Sequence, residues 1–405
     1  MSSPLNELSQ TKQTSRAKHP VALGCTLLGL AAIPDAMIVP VLHDLSVDRF
    51  SVSEGAAHGF MAVNIIGALA VIAILALINK RIKASTVMLI AALTSAAMLV
   101  AMVFATSWSM MLCFRLVEGG ADLMLSVIPI RMVAASGRRD RYGGRMGFAF
   151  TIMFLALGAG VALGAMLGSD SPSNVLWIGA AISAIILITS LICRETVDIV
   201  NEHSEKHRPG VRLDAKEWVG TGFSALDRLI SALISVTLPL LLVSGYGIER
   251  STLGIGMACM FVAIALFAAP AGFLADRIGG MKVRLMAVCT CGIALMGLGL
   301  MEWFPPEWVL APCLLLNGIG SAGLMPSSFS LCVRREASTL VFSTMQAAGQ
   351  CGYALGVVGG GILLATVSLP PETMFVRLFV IAGLIFLALN LLLLMVVKAI
   401  QRTLV

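Results

Sequence analysis

The sequence predicts an all-α membrane protein that crosses the bilayer twelve times, with its helices arranged as two pseudo-symmetric six-helix bundles. Three observations predict this fold class: the composition, the succession of apolar runs, and the recurrence of the same residues in both halves of the chain. Of 405 residues, 58% are hydrophobic and 12% are charged, against roughly 25% charged residues in soluble domains. A transmembrane helix needs about 20 apolar residues, so the hydrophobic content suffices for about twelve helices. This composition excludes a soluble enzyme and a single-span receptor with a large extracellular domain.

Twelve apolar runs follow a polar N-terminal segment. Because backbone groups inside a bilayer must bond within their own segment, and because the runs are too long for barrel strands, each is predicted to form a helix. The run that starts at Val21 lacks a small-residue cleavage site, so it is predicted to be the first span and not a signal peptide. The predicted spans are 20–42, 57–79, 86–105, 108–134, 146–168, 174–193, 218–243, 253–274, 284–302, 307–332, 343–366 and 374–397.

One long charged stretch, from Arg194 to Glu217, divides the spans into six and six. His203 and His207 stand in it at helical spacing, beside two glutamates, an arrangement that could bind a metal. A solvated linker between two bundles is the interpretation that we favour. The predicted domains are a cytoplasmic N-terminal tail at 1–19, an N-terminal six-helix bundle at 20–193, a cytoplasmic central loop at 194–217, a C-terminal six-helix bundle at 218–397 and a cytoplasmic C-terminal tail at 398–405.

Basic residues fix the predicted orientation, because cytoplasmic loops of membrane proteins are enriched in lysine and arginine. With the N-terminus in the cytoplasm, the opposite loops hold only Arg49, Arg250 and Arg377. Both termini are therefore predicted to be cytoplasmic, in a multi-pass protein of the plasma (inner) membrane. The basic residues predicted to lie on the cytoplasmic side are Lys80, Arg81, Lys83, Arg138, Arg139, Arg141, Arg145, Arg277, Lys282, Arg284, Arg334, Arg335, Lys398 and Arg402.

Motifs of enzymes, metal sites and disulfide frameworks are missing from the sequence. The nine cysteines lie within or at the ends of apolar runs and form no CxxC pair, and free cysteine is a common buried residue. No GxxxxGK[ST], HExxH or GxSxG motif is present, so neither ATP-driven transport nor hydrolysis has a site. We therefore expect no enzyme activity, no metal, no cofactor and no nucleic-acid partner.

An internal repeat relates the two halves of the chain. Pro40 and Pro239 are 199 positions apart, as are Glu118 and Asn317. Predicted helices five and eleven both carry glycine at four-residue spacing, which permits close helix contact. Two six-helix halves that repeat in parallel, with a binding site between them, are typical of secondary transporters. The spaced glycines are Gly160, Gly164 and Gly168, then Gly352, Gly356 and Gly360.

Two motifs resemble those of the major facilitator superfamily. GFLADRIG, which begins at Gly272, resembles the family's loop motif G-x-L-A-D-R-x-G-R. RLVEGG, which begins at Arg115, resembles its fourth-helix motif R-x-x-x-G-x-G. The resemblance implies alternating access, with helices one, four, seven and ten around a central cavity. It also implies a gating role for Gly272, Asp276, Arg277 and Gly279.

Two departures from the family pattern bear on the mechanism. In the first-half copy of the loop motif, Lys80 stands where the family has an aspartate. A carboxylate that could pair with basic groups or with a helix N-terminus is therefore present only in the second copy, at Asp276. In helix five, Gly160-Val161 stands where the family's antiporter motif has Gly-Pro. The first departure weakens the implied latch on the cytoplasmic side, and the second counts against proton antiport.

Six ionisable residues fall inside the predicted spans, where their cost makes each a functional candidate. Arg115, Glu118 and Asp122 are spaced i, i+3 and i+7, so they share one face of the fourth helix, which must face a polar cavity. Neighbours on a helix point about 100° apart, so Asp227 and Arg228 are not expected to pair with each other. The six candidates are Asp35, Arg115, Glu118, Asp122, Asp227 and Arg228.

These charges predict an ion-pair network that protons can switch. Breaking a buried carboxylate–arginine pair during a transport cycle can release or take up a proton. The resemblance to the family's polyspecific exporters assigns the first-helix acid to Asp35 and the fourth-helix arginine to Arg115. Glu118 and Asp122 are alternative proton carriers, and a static salt bridge between helices one and four is the structural alternative.

The predicted function is secondary transport driven by the proton gradient, with export of small amphiphilic or cationic organic molecules as the first choice. Four carboxylates against two arginines within the spans favour a cationic substrate. Gln346 and Gln350, four residues apart on helix eleven, are weaker candidates for lining the cavity. Import of a small polar solute by a symporter or facilitator is the alternative, and a transport-inactive sensor or assembly partner is a third hypothesis. The expected partners are a small-molecule substrate and the lipid bilayer, with the protein as a monomer.

Overall fold

The computed structural model of the chain describes residues 20–77, 83–135, 142–168, 171–198, 214–332, 339–366 and 371–403. Within these ranges the regular structure is helical and contains no strand. The twelve long helices are α1 (Pro20–Ile38), α2 (Glu54–Leu77), α3 (Ala84–Val103), α4 (Trp108–Ala135), α5 (Tyr142–Leu167), α6 (Pro172–Ile192), α7 (Ala215–Ala232), α8 (Arg250–Ile278), α9 (Gly280–Gly297), α10 (Pro306–Cys332), α11 (Thr339–Thr366) and α12 (Pro371–Thr403).

Irregular turns extend three of these helices. A 3₁₀ turn at Val39–Val41 continues α1, and another at Leu298–Glu302 continues α9. A π-helical turn at Leu233–Thr237 joins α7 to the helix Leu238–Tyr246. π-Helical turns inside longer helices occur frequently at functional sites, because they redirect the side chains that follow.

The predicted all-α fold with twelve spans is confirmed. Among the described residues, ten helices are long and apolar enough to cross a membrane. α4 and α11 are not among the ten, although each has 28 residues, more than the roughly 20 that a span needs. α4 carries Arg115, Glu118 and Asp122, and α11 carries two glutamines and several glycines, so polar residues lower the hydropathy of both helices.

Glycine allows the close helix contacts that the repeat predicts. A Cβ added at Gly164 on α5 would lie 2.1 Å from the carbonyl oxygen of Met37 on α1. In the second half, a Cβ at Gly352 on α11 would lie 2.0 Å from the carbonyl oxygen of Ala225 on α7. Both distances are impossible for a larger residue without backbone movement, so α5 packs on α1 as α11 packs on α7. The two halves of the chain contact each other along α5 with α8 and along α2 with α11.

The boundary between α8 and α9 differs from the prediction. Spans 253–274 and 284–302 left a loop of nine residues, but α8 runs to Ile278 and α9 begins at Gly280, so a single residue, Gly279, separates them. Gly279 has φ +95°, a conformation that glycine adopts without strain. Arg284, predicted as the first residue of its span on the cytoplasmic side, is instead the fifth residue of α9. Its side chain lies on α9 and is fully buried.

Candidate functional site

Arg115 on α4 is the centre of the first charged cluster. Its side chain is fully buried, and its guanidinium donates to Asp35 Oδ1 on α1 at 2.7 Å and to Glu118 one turn along α4. The guanidinium carbon also lies 4.8 Å from the centre of the Phe60 ring on α2, a cation–π distance. Three of the six ionisable candidates, Asp35, Arg115 and Glu118, therefore meet where α1, α2 and α4 come together.

Glu118 is held from two further helices. Its carboxylate is 2% exposed and accepts hydrogen bonds from Asn64 Nδ2 on α2 at 3.1 Å and from Ser95 Oγ on α3 at 3.4 Å. The bond from Asn64 links α2 to α4. Asp122 is half-buried, and its nearest charged neighbours are Asp35, Glu118 and Arg115.

Charge does not balance in this first cluster. Three carboxylates, those of Asp35, Glu118 and Asp122, surround the single guanidinium of Arg115, which gives a formal charge of −2 when all are ionised. An uncompensated charge inside a membrane protein is costly, so the cluster has to gain positive charge from protons or from a bound cation. The side chain of Asp35 is 29% exposed, so protons and cations can both reach it.

A second charged cluster lies within the C-terminal half. Arg284 on α9 donates from both terminal nitrogens to the carboxylate of Asp227 on α7, at 2.7 and 2.6 Å. It also donates to Ser328 Oγ on α10 at 2.9 Å and to Asn390 Oδ1 on α12, and its guanidinium carbon is 4.3 Å from the centre of the Phe223 ring. One fully buried arginine therefore joins four helices, α7, α9, α10 and α12.

Sequence reasoning missed Arg284 because it counted the residue among the cytoplasmic basic residues. The Gly279-Gly280 pair is the signal that could have found it, because adjacent glycines end one helix and begin the next. A helix that begins at Gly280 carries its fifth residue, Arg284, into the bundle. The expectation that Asp227 and Arg228 do not pair with each other agrees with the structure, in which Asp227 pairs with Arg284.

Arg228, on α7, differs from the other arginines of the site. Within the described part of the chain it makes no hydrogen bond and no ion pair, and the titratable groups that act on it are Tyr353 and Asp227. Its Cγ lies 3.2 Å from the position that a Cβ on Gly349 of α11 would occupy. The Tyr353 hydroxyl shares a hydrogen bond of 2.7 Å with Ser235 Oγ in the π turn after α7. Gln346 and Gln350 are half-buried on the same helix as Tyr353.

The residues of the loop motif lie at the junction of α8 and α9. A Cβ added at Gly272 would lie 3.8 Å from Cβ of Pro326 on α10, Arg277 is exposed near the end of α8, and Gly279 forms the turn. The side chain of Asp276 lies outside the described residues, as do Lys80 in the first-half copy and the central-loop histidines. The latch that the resemblance implies for Asp276 therefore stays a prediction.

One group of side chains beside the far end of α1 has the composition of a metal site. His43, Asp44 and Asp48 place their ligand atoms within 4.8 Å of one another, the only such group of three among the residues described. His43 Nδ1 and Asp48 Oδ2 lie 3.5 Å apart.

Comparisons with known proteins place the chain among membrane transporters. The family model of the Major Facilitator Superfamily matches residues 24–223 and 218–403. The tetracycline resistance protein, class H, of Pasteurella multocida is 28% identical over 318 residues, which cover 73% of this chain and 76% of that protein.

Solved structures of two transporters share the fold. The nucleoside transporter NupG superposes with a TM-score of 0.68 at 14% identity, over 94% of this chain and 99% of that one. The human organic anion transporter MFSD10 (TETRAN) superposes with a TM-score of 0.62 at 18% identity, over 93% of this chain and 99% of that one. At these identities the likeness extends to the fold alone.

Proposed function

The chain belongs to the major facilitator superfamily, and we propose that it is a secondary transporter that exports small cationic or amphiphilic organic molecules in exchange for protons. Similarity to a tetracycline resistance protein favours export, because removal of a compound from the cell is one way for a transporter to confer resistance. The proton gradient is the proposed source of energy, and the first charged cluster is the proposed site of coupling.

The observation that carries this proposal is the ion pair between Arg115 and Asp35. Arg115 is fully buried and keeps a second partner, Glu118, on its own helix, whereas Asp35 stands on a different helix and is 29% exposed. Asp35 can therefore lose Arg115 without leaving the guanidinium unpaired. Breaking this bond removes the ion pair that links α1 to α4, and re-forming it restores that link.

Competition for the same carboxylates would produce exchange. The cluster has two carboxylates more than guanidinium groups, and an excess of buried negative charge is neutralised by whichever cation is available. A proton on Asp35 or Asp122 removes the attraction for a substrate cation, and a bound substrate cation removes the attraction for the proton. A site that holds one or the other, and opens to the two sides in turn, couples outward movement of substrate to inward movement of protons.

Contacts between the two halves have to break for the cavity to open at the end of the bundle where α2 begins. His58 Nε2 on α2 and Thr237 Oγ1 in the π turn after α7 share a hydrogen bond of 3.2 Å. A Cβ on Gly361 of α11 would lie 3.1 Å from the carbonyl oxygen of Gly55 on α2. The hydrogen bond between His58 and Thr237 itself adds only modestly to the free-energy cost of separating the two halves.

Proton movement in energised everted vesicles tests the proposal. A pH-sensitive dye is followed while lipophilic cations, neutral amphiphiles and small polar metabolites are added one at a time. Addition of a cation is expected to cause dye recovery in the wild type and none in Asp35→Asn, because a neutral amide takes up no proton. Glu307→Gln removes an exposed carboxylate and is expected to behave as the wild type. Dye recovery that persists in Asp35→Asn would contradict the assignment of coupling to Asp35.

Import of a small polar solute with protons is the second candidate. The half-buried amides of Gln346 and Gln350 favour it, because neither makes a side-chain hydrogen bond within the described residues and both could bind a polar solute. The same vesicles distinguish the two directions. Accumulation of labelled metabolite in right-side-out vesicles, with no response to cations in everted ones, would favour import.

We also propose the arrangement of the chain in the membrane. The excess of lysine and arginine in alternate loops supports cytoplasmic termini, in a monomer whose bundles are 20–193 and 218–397, in the plasma (inner) membrane. Labelling of single cysteines by a membrane-impermeant maleimide is the test. A cysteine in the 1–19 tail is expected to react only in everted vesicles or permeabilised cells, and reaction in intact cells would reverse the orientation.

A further inference from the structure

Arg228 is an arginine in the middle of a span without an acidic partner. It lies at the centre of the candidate span Ala215–Val243. The carboxylate next to it, Asp227, has both oxygens engaged by Arg284. Among the described residues no other acid bonds to Arg228. A guanidinium at this depth is expensive unless an anion or water accompanies it.

The stem of Arg228 is packed, while its head lacks partners. Its Cγ lies over Gly349 on α11, where a Cβ would come within 3.2 Å. Glycine at this position therefore provides the space that the arginine stem uses. No nitrogen of Arg228 is among the buried donors without a partner, so part of its guanidinium remains accessible. The stem of Arg228 is therefore fixed by packing, while its guanidinium is accessible and has no acidic partner among the described residues.

Tyr353 marks where the sites of the two halves approach each other. Its hydroxyl is fixed by Ser235, which lies in the π turn after α7, seven positions beyond Arg228. The charged groups within electrostatic range of Tyr353 are Asp35 and Arg115 on the N-terminal half and Arg228 on the C-terminal half. The wall on the N-terminal side has excess carboxylates, and the wall on the C-terminal side has an excess guanidinium.

We propose that Arg228, with the Tyr353 hydroxyl beside it, is an anion-binding subsite, and that the transported molecule is a dipolar amphiphile. Its cationic group would lie against Asp35 and Asp122, and its acidic group would pair with Arg228. The inference rests on the proposed transport function, because it assumes that one substrate contacts both halves of the bundle. It narrows the substrate class from cations to molecules that carry both charges.

The two arginines of the C-terminal half make opposite predictions for stability. Arg228→Met removes a charge that has no partner, so the thermal unfolding midpoint of the purified protein is expected to rise. Arg284→Met removes the partner of a buried carboxylate, so the midpoint is expected to fall. Lys398→Met, which removes an exposed charge near the end of α12, is the control and is expected to leave it unchanged. A fall with Arg228→Met would show that Arg228 is a structural residue and would overturn the proposal.

Binding of a matched pair of dyes tests the subsite itself. Rhodamine B carries a delocalised cation and a free carboxylate, and its ethyl ester carries the cation alone. Fluorescence anisotropy with purified protein is expected to give tighter binding of rhodamine B to the wild type. Loss of a charge-assisted hydrogen bond weakens binding roughly tenfold or more. Arg228→Met is therefore expected to weaken the binding of rhodamine B by that factor and to leave the binding of the ester unchanged.

The remaining outcomes separate this inference from the proposed function. Equal binding of the two dyes, equal weakening of both by Arg228→Met, or binding of neither would overturn the subsite. Substrate-induced proton movement that is abolished by Asp35→Asn would in those cases still support proton-coupled export. Selective loss of rhodamine B binding in Arg228→Met, together with unaltered proton movement in Asp35→Asn, would support the subsite while contradicting the coupling site.

Discussion

Replacement of Arg284 by methionine removes the charge that holds α7, α9, α10 and α12 together. Arg284 donates twice to the carboxylate of Asp227, and once each to Ser328, to the Leu324 carbonyl and to Asn390. Methionine keeps much of the volume and supplies no donor. The variant therefore leaves the carboxylate of Asp227, which is 16% exposed, without its counter-charge in the bundle.

The expected cost is large on the scale of protein stability. Removal of one partner from a buried ion pair destabilises a protein by about 3–5 kcal/mol, because the remaining charge stays desolvated and unpaired. Native proteins are stable by only about 5–15 kcal/mol in total. Arg284→Met is therefore expected to lose a substantial share of the free energy of unfolding, and the protein is expected to be obtained in reduced yield.

A second substitution shows whether the lost charge balance is the cause. Apolar residues in place of both members of a buried pair are often neutral or stabilising, so Asp227→Leu combined with Arg284→Met is expected to recover most of the loss. The assay is equilibrium unfolding in mixed micelles with increasing sodium dodecyl sulfate, followed by far-UV circular dichroism. A double variant no more stable than Arg284→Met would refute the reasoning, because it would show that the bonds to Ser328 and Asn390 matter more than charge.

Three further predictions test packing, gating and coupling. Gly164→Ala places a Cβ against a carbonyl of α1 and is expected to cost about 1–3 kcal/mol, whereas Gly359→Ala, with open space around it, is expected to cost less in the same unfolding assay. Thr237→Val removes the hydrogen bond to His58, which contributes roughly 0.5–1.5 kcal/mol. The population of molecules that are open at that end of the bundle is therefore expected to rise by about two- to tenfold, as measured by distances between spin labels. An unchanged population would show that this hydrogen bond does not hold that end closed. Glu118→Gln is expected to retain substrate-induced dye recovery, because the α1 carboxylate remains, and its loss would move coupling to α4.

The first cluster could be predicted from the sequence because three of its residues lie on one helix. The i, i+3, i+7 spacing of Arg115, Glu118 and Asp122 needs no knowledge of the fold, and the cost of burying charge implies that they face the interior. The meeting of Asp35 with Arg115 followed from the family resemblance. The bond from Asn64 to Glu118 could not be predicted, because it depends on the packing of α2 against α4.

The second cluster could not be predicted because its members are far apart in the sequence and one of them was misplaced. The prediction grouped Arg284 with the cytoplasmic charges, although the turn at Gly279 carries it into the bundle. Its partners lie on three other helices, and no spacing rule relates Asp227, Ser328 and Asn390. Tyr353 was missed for a related reason. A lone tyrosine in an apolar helix is unremarkable until the packing of α11 on α7 brings it beside Arg228.

Correct placement of Arg284 changes the expected substrate. The predicted spans contained four carboxylates and two arginines as candidates, and this excess of negative charge predicted a cationic ligand. With Asp227 neutralised by Arg284, the C-terminal half no longer contributes negative charge to the site, and Arg228 is left as a positive group. The net charge of the site is then divided between its two walls, negative on α1 and α4 and positive on α7. A pure cation would satisfy only the first wall, so a molecule with both charges is the one that relieves the electrostatic cost on both halves at once.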